Sequence, residues 1–410
     1  MRKPETTWGK PSTCSFRGNP LATIRSKDLL TMVCCRCCCP HNFRKPMLAF
    51  CINNWSVPLS RCTKREDADF RPMAFLCLFM GAVLAIGQVC VAKEGMVLSW
   101  PTANPAFAQG KPYGNYVQPT SRENPIESGI YGCVRNNGFK FHEGIDLKSI
   151  KRDASNRPLD TVFAAMNGVV VHVNPRAGDS SYGIYVVLEH RELNPAVYSL
   201  YAHLSRVEAP LKVGSAVKVG QPIGRMGNTS GGYRIPLERA HLHFEIGLRL
   251  TDHFQAWYDR RKFTSKNRHG KYNGMNLVGF DPLAFYRSYN AKKVKHPIDY
   301  LASLPQVAVV RAKSTRIPDF ARRYPALSSY DGKGRAPTLW DVTFGPAGIP
   351  LRCDPAPAGT SLPAKLRYQV LSHKAPPGCC SKCRALAVRR GTSFIPSNQL
   401  GTYLELLLGN

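Results

Sequence analysis

Acidic side chains are scarce in this sequence: 27 Asp and Glu stand against 56 Lys and Arg, for a formal charge of +29. Such a balance points to a polyanion, an anionic membrane face or an acidic polymer as neighbour, and charge alone does not choose among them. Absent with it is any helix-turn-helix, zinc-finger or aromatic-studded RNA motif that would place the charge on a reading surface, so no nucleic acid partner is expected. Cysteine is missing from most of the chain. Ten of the fifteen precede Lys93, Cys133 stands alone in the middle, and Cys353, Cys379, Cys380 and Cys383 lie near the C-terminus. That distribution is no disulfide framework, and the middle of the chain must be held by packing and by what it binds. The Cys379-Cys380-x-x-Cys383 cluster lacks a paired second half at zinc-finger spacing. A disulfide with Cys353, or free thiols, is expected there.

The 410 residues allow two or three domains, and a hydrophobic share of 43% is ordinary for globular protein. Residues 73–92 form an uncharged apolar stretch preceded by Lys64, Arg65 and Arg71 and closed by Cys90-Val91-Ala92. It reads as a secretory signal, with a basic lead-in, an apolar centre and a small residue before the cut. An uncleaved membrane anchor is the competing reading, since about 20 apolar residues can span a bilayer, and lipid attachment at Cys90 is a third. Either way the chain is expected to be exported, to a periplasm or cell envelope. Residues 1–72 show no sustained helical or strand period, and translation is expected to start at Met73 or Met47, which leaves 1–72 a non-native or disordered leader. Thirteen Lys and Arg and five Asp and Glu precede Lys93, so the remainder still carries +21.

Residues 93–129, rich in Pro, Gly and Asn, read as a linker or strap. From about 130 to 290, short β-branched runs punctuated by glycine recur at Thr161–Val173, Tyr182–Glu189, Tyr198–His203, Gly220–Met226 and His241–Leu248. This spacing predicts an all-β domain, an antiparallel sandwich or open barrel. Residues 291–410 read as a small accessory β-rich domain, with strands expected over 306–313, 339–344, 366–372 and 403–408. No internal repeat is evident.

The chemistry concentrates in a few histidines. His142 and Asp146 flank Gly144, and in a straight strand their side chains would stand roughly 13 Å apart, too far for one ion. The chain must bend there, and Gly144 permits it. In Ala240-His241-Leu242-His243-Phe244-Glu245, alternate residues share a face, so His241, His243 and Glu245 point one way and Leu242 and Phe244 the other. That face suits metal binding or acid–base work; a polar stripe on an edge strand has the same pattern. His203 and Tyr201 are placed on one face of a third strand.

These motifs, together with Tyr182-Gly183-x-x-Val186-Val187-Leu188-x-His190 and the Val217-to-Gly224 turn, occur in an order that resembles the lysostaphin/LytM-type metalloendopeptidases. The resemblance spans about residues 130 to 290. It implies a groove-bearing antiparallel β fold, the duplicated hybrid motif. It also implies one Zn²⁺ held by His142, Asp146 and His243, with His203 and His241 as the catalytic pair, and peptidoglycan as the polymer acted on. Glu245 is a candidate to orient a ligand histidine; His172, His190, His253 and His269 have no assigned role. Two stretches depart from the family pattern: Gly231–Ala240, which is expected to reshape the groove wall beside the zinc, and an enlargement over Lys148–Pro158 after the first metal motif. A non-catalytic, wall-binding or amidase-activating relative is the alternative function. A lipoyl-like β domain is disfavoured, because the turn lacks an attachment lysine between methionines.

Overall fold

The computed structural model describes residues 95–120, 126–376, 378–380 and 382–409; the leader over 1–72 and the apolar segment over 73–92 lie outside the described residues. Among those described, no helix is long and apolar enough to cross a membrane. The architecture is antiparallel β-sheet with short helices at its margins. In chain order the strands of the first half are β1 (Gly132–Arg135), β2 (Lys140–His142), β3 (Ile145–Lys148), β4 (Thr161–Phe163), β5 (Gly168–Asn174), β6 (Ile184–His190), β7 (Val197–Val207), β8 (Ala216–Val217), β9 (Pro222–Met226), β10 (His241–Arg249) and β11 (Leu277–Phe280). The apolar run expected over 161–173 is thus two strands, broken at Ala164–Asn167. Helices α1 (Phe254–Arg260), α2 (Pro282–Asn290) and α3 (Pro297–Ser303) follow β10 and β11.

One nine-stranded sheet carries the site. Its main path runs β11-β10-β7-β6-β5-β8, with β3 added beside β10 and the β4–β9 pair beside β7. Strand β10 is therefore interior to the sheet and not at an edge, and all nine of its residues are buried. Phe244, Ile246 and Leu248 pack into the main core with Tyr201, Leu204 and Ile223, while Tyr198, Leu200 and Ala202 face the other side with Tyr185 and Val187.

The segment ahead of β1 is packed against this sheet. Val117 bridges Leu147 of β3, and Trp100 stacks on Phe107 with ring centroids 4.2 Å apart. The backbone at Tyr116 and Gln118 closes hydrogen bonds with Lys148 and Asp146, which pins β3 from its far side.

Beyond α3, strands β12 (Ala308–Lys313), β13 (Leu339–Phe344), β14 (Pro350–Pro355) and β15 (Tyr368–His373) form a four-stranded sheet in the order β14-β13-β12-β15. A hairpin, β16 (Ala387–Arg390) with β17 (Ser393–Pro396), follows it. Helix α4 (Asp319–Arg323) lies between β12 and β13, and α5 (Asn398–Leu408) closes the chain. The strand expected over 403–408 is thus helical. Ser397 caps the helix by accepting from Leu400 N, Gly409 ends it at φ 71°, and Leu400, Leu404, Leu407 and Leu408 recur at helical spacing into the core. The run of leucines reads the same in either period over six residues, and the cap decides it.

The cysteine pairing also differs from expectation. Cys133 of β1 is bonded to Cys383, and Cys353 is a buried thiol on β14. Cys353 lies in the hydrophobic core with a free thiol, the second of the two alternatives expected for it, and not in the disulfide. The bridge closes a loop of 250 residues and ties the hairpin beside His142 to the C-terminal segment.

Candidate metal centre

Gly144 sets the bend that brings β2 and β3 to one point. A Cβ at this position would lie 2.2 Å from the carbonyl oxygen of Phe244, so only glycine lets the turn press against β10. Register then does the rest: His243 of β10 lies opposite Asp146 of β3 and opposite Ala202 of β7. His142 Nε2, His243 Nδ1 and Asp146 Oδ1 form a triangle with sides of 3.0, 3.1 and 3.0 Å. Three atoms each about 2.0 Å from one tetrahedral ion are expected roughly 3.3 Å apart, so the triangle matches a single coordination sphere.

The outer partners fix which ring nitrogen faces inward. His142 Nδ1 donates to the Ile130 carbonyl at 2.8 Å, leaving its Nε2 lone pair inward. His243 Nε2 donates to Glu245 Oε1 at 2.9 Å, leaving Nδ1 inward. Glu245 in turn accepts from the Tyr182 and Tyr198 hydroxyls at 2.7 and 2.8 Å, so a buried carboxylate orients a ligand histidine through its free nitrogen. Arg135 Nη2 lies 2.6 Å from Asp146 Oδ2 and leaves Oδ1 to the triangle.

Electron-rich atoms this close repel unless a positive charge lies among them. Burial pushes the His142 ring down to about 4 and keeps it neutral. For Asp146 burial acts upward, but His142, His241 and Arg135 outweigh it and hold the carboxyl well below its ordinary value. Burial likewise opposes a charge on His243, yet the Asp146 and Glu245 carboxylates on either side push it up to about 9. The donor set could hold a cation at this point. A proton on His243 can offset the repulsion in part, and a bound dication offsets it with all three lone pairs directed at it.

His203 and His241 complete the ring of imidazoles. His241 Nδ1 donates to the Arg239 carbonyl at 2.6 Å, and His203 Nδ1 to the Thr229 carbonyl at 2.8 Å. Both Nε2 atoms are left free of backbone partners; that of His241 lies 3.5 Å from Asp146 Oδ1, and the two rings are 4.9 Å apart. Burial lowers both rings, and for His203 the neighbouring His241 and His243 lower it further. The expectation that Tyr201 and His203 share a strand face fails. His203 has φ 60°, and the β6–β7 register shifts between Ile184 and Val186. This bulge turns His203 toward the site, while the Tyr201 hydroxyl stays in the core and accepts from Ala165 N. Gly183, at φ 66°, lets the Thr229 carbonyl come within 2.2 Å of where a Cβ would stand, which delivers the acceptor for His203.

The five residues come from β2, β3, β7 and the start of β10, and His203, His241 and His243 among them line one groove of about 1130 Å³. The two stretches that depart from the family pattern touch each other: Arg152 donates to the carbonyls of Leu237 and Ala240. Tyr233 from the second stretch stands over His203 with ring centroids 6.5 Å apart. Sequence reasoning missed Arg135, Ile130 and the tyrosine pair around Glu245. Only the tyrosines left a signal, since a buried carboxylate must find donors.

Residues 140–254 match the model of peptidase family M23. This segment is similar to an M23 domain. Likeness to solved structures is likewise partial. A zinc-containing peptidase from Vibrio cholerae aligns at 27% identity over 32% of this chain and 33% of its own, with a TM-score of 0.23. The catalytic domain of lysostaphin from Staphylococcus simulans aligns at 24% over 39% of this chain and 88% of its own, with a TM-score of 0.24. The prophage-encoded M23 protein EnpA from Enterococcus faecalis aligns at 24% over 32% of this chain and 86% of that catalytic domain, with a TM-score of 0.23. The chain thus spans about a third of the Vibrio protein it matches. No curated protein matches it. The M23 match runs from Lys140 to Phe254, so the strap, β1 and everything after Phe254 lie outside it.

Proposed function

We propose that the protein is a zinc-dependent endopeptidase that hydrolyses peptide bonds in the cross-links or stem peptides of bacterial peptidoglycan. The observation that carries this reading is the meeting of two inward lone pairs and one carboxylate oxygen at 3.0–3.1 Å, with two further imidazole Nε2 atoms beside them. When bound, zinc supplies Lewis acidity: it polarises the scissile carbonyl and brings the pKa of water toward about 7. His142, Asp146 and His243 hold it, and Glu245 keeps His243 in the right tautomer. Because the Nδ1 protons of His203 and His241 are tied to carbonyls, each neutral ring faces the groove as an acceptor. One ring takes a proton from the attacking water and passes it to the leaving amine, and while it carries that proton it is the cationic donor beside the oxyanion; the other accepts a hydrogen bond from the attacking water and orients it. The lowered pKa of each ring keeps that base form in hand at neutral pH. Peptidoglycan lies outside the cytoplasmic membrane, where export through residues 73–92 would deliver the chain.

Metal analysis of the purified full chain, with digestion of isolated peptidoglycan and mass analysis of the products, tests the proposal. One zinc per chain and new peptide termini are expected, and His243→Ala should lose both. Released sugars without peptide cleavage, or cleavage that persists in the metal-free protein, would overturn it.

A further inference from the structure

Away from the candidate metal centre, residues 355–404 contain seven Lys and Arg and no Asp or Glu. The same stretch holds Leu366, Leu371, Val388, Phe394 and Ile395, five of the fourteen large apolar side chains that are exposed among the described residues. Singly such side chains need no explanation; gathered with unpaired cations they do. The β16–β17 hairpin shows their arrangement. Val388 pairs with Ile395 and Arg390 with Ser393, so Val388, Arg390 and Ile395 share one face, and Arg389 lies opposite Phe394 on the other. The Phe394 ring meets His373 at 4.9 Å between centroids, which sets β17 beside the end of β15, next to Lys374. Val388 is 51% exposed and Ile395 40%, so their face is uncovered. Among the described residues none of Lys374, Arg389 and Arg390 is joined to a carboxylate; Arg389 donates to the carbonyl of Gly391 at the turn.

Guarding an edge strand against pairing would account for the arginines and leave the apolar pair unexplained. A soluble polyanion would match the cations but leave Val388 and Ile395 in water. An apolar protein face would cover those two but strip water from guanidinium groups that have no counter-charge. A bilayer with anionic headgroups satisfies both kinds of side chain, the apolar ones at the acyl boundary and the cations at the phosphates.

We propose that the β16–β17 hairpin is a membrane-docking surface that inserts Val388 and Ile395 shallowly into an anionic phospholipid bilayer. Arg390 meets headgroup phosphates beside them, and Arg389 and Lys374 do so on the flank toward β15. Docking of this kind is peripheral and reversible, since two apolar side chains and three cations fall far short of a spanning segment. It is independent of the peptidase reading, and it gives the part of the chain beyond the M23 match a role of its own.

The test is flotation of the full chain with vesicles of phosphatidylcholine alone and of equal parts phosphatidylcholine and phosphatidylglycerol, at low and high salt. Tighter binding to the anionic vesicles is expected, weakening as salt rises. Arg389→Gln with Arg390→Gln should lower that affinity about 25-fold, at roughly five-fold for each cation. Val388→Ser with Ile395→Ser should lower it about ten-fold at either salt. All four positions are exposed, so the fold is kept. Fluorescence of Val388→Trp, read against the unaltered chain, should be quenched by lipid brominated in its acyl chains, which places the hairpin itself at the bilayer whatever residues 73–92 contribute. Binding indifferent to lipid charge and to both double variants, as attachment through residues 73–92 alone would give, would overturn the inference. So would a loss with the arginine pair and none with the apolar pair, which is the behaviour of a site for a soluble polyanion. A dimer in solution that Val388→Ser with Ile395→Ser dissolves and anionic vesicles leave intact would overturn it as well, by giving the face to a second copy of the chain.

Discussion

In the sheet that carries the candidate metal centre, β10 has all nine residues buried, with His241, His243 and Glu245 among them at 5% exposure or less. In the C-terminal sheet, β12 alternates, burying Ala308, Val310 and Ala312 while Arg311 and Lys313 remain half-buried. The difference lies in what each sheet must compensate. A half-exposed Arg311 finds Asp341 across the strands at 2.7 and 2.8 Å, with water near at hand. A buried stripe of imidazoles and a carboxylate would be costly without partners on every side. The first sheet supplies them from β3, from β7 and from the tyrosine pair, and brings His142, Asp146 and His243 to one point where they could hold a cation. A polar stripe buried at a sheet's centre thus marks a site, whereas the same stripe at its surface marks only solvation.

Removing the ion should break the contrast most. A ligand that binds only the folded state stabilises it by about 4 kcal/mol at a thousand-fold excess over its Kd. Denaturant unfolding of the zinc-loaded protein should therefore lie well above that of the chelated protein, and coincident curves would show that β10 needs no ion. Acid should act next, through a histidine of the same sheet that the site does not use. His190 is buried between the Asn167 carbonyl and the Ser199 hydroxyl, each at 2.7 Å, and burial pushes its pKa down to about 4. The unfolded chain takes this proton first, near 6.5, so stability present above that pH is lost as the pH falls toward 4. The loss is about 3 kcal/mol. Unfolding free energies of the metal-free protein at pH 7, 5.5 and 4 measure it, and a flat profile would contradict the sign.

Glu245→Gln should cost 10- to 100-fold in metal affinity, since the amide can still meet His243 but no longer balances the charge behind it. A competition titration with a chromophoric chelator reads this directly. The smallest effect is expected from the matching change in the other sheet. Asp341→Asn weakens a partly exposed pair with Arg311 and should shift stability by under about 1 kcal/mol, with zinc affinity unchanged.

Much of the fold was legible because strand periodicity is local. The runs at 184–190, 197–207 and 241–249 announced themselves through β-branched residues and glycine breaks, and the C-terminal strands β12, β13 and β15 lie within two residues of their expected starts. The failures share a cause. At α5 a six-residue apolar run fits two periods, and only the Ser397 cap and the Leu400 contact choose between them. At Tyr201 and His203 strict alternation gave the wrong face, because one bulge residue inverts everything after it. The cysteine pairing was beyond reach, since 250 residues separate the partners.

From the order of residues alone came the strands, the bend required between His142 and Asp146, and the shared face of His241, His243 and Glu245. All of these follow from the period of a strand and the reach of a few bonds. Tertiary structure alone decided that β10 lies inside its sheet, that Arg135 takes one oxygen of Asp146, and that the β16–β17 hairpin leaves Val388 and Ile395 exposed. Those depend on sheet order and on contacts between residues far apart in the chain, where the free energy of packing, and not the local period of the sequence, selects the neighbour.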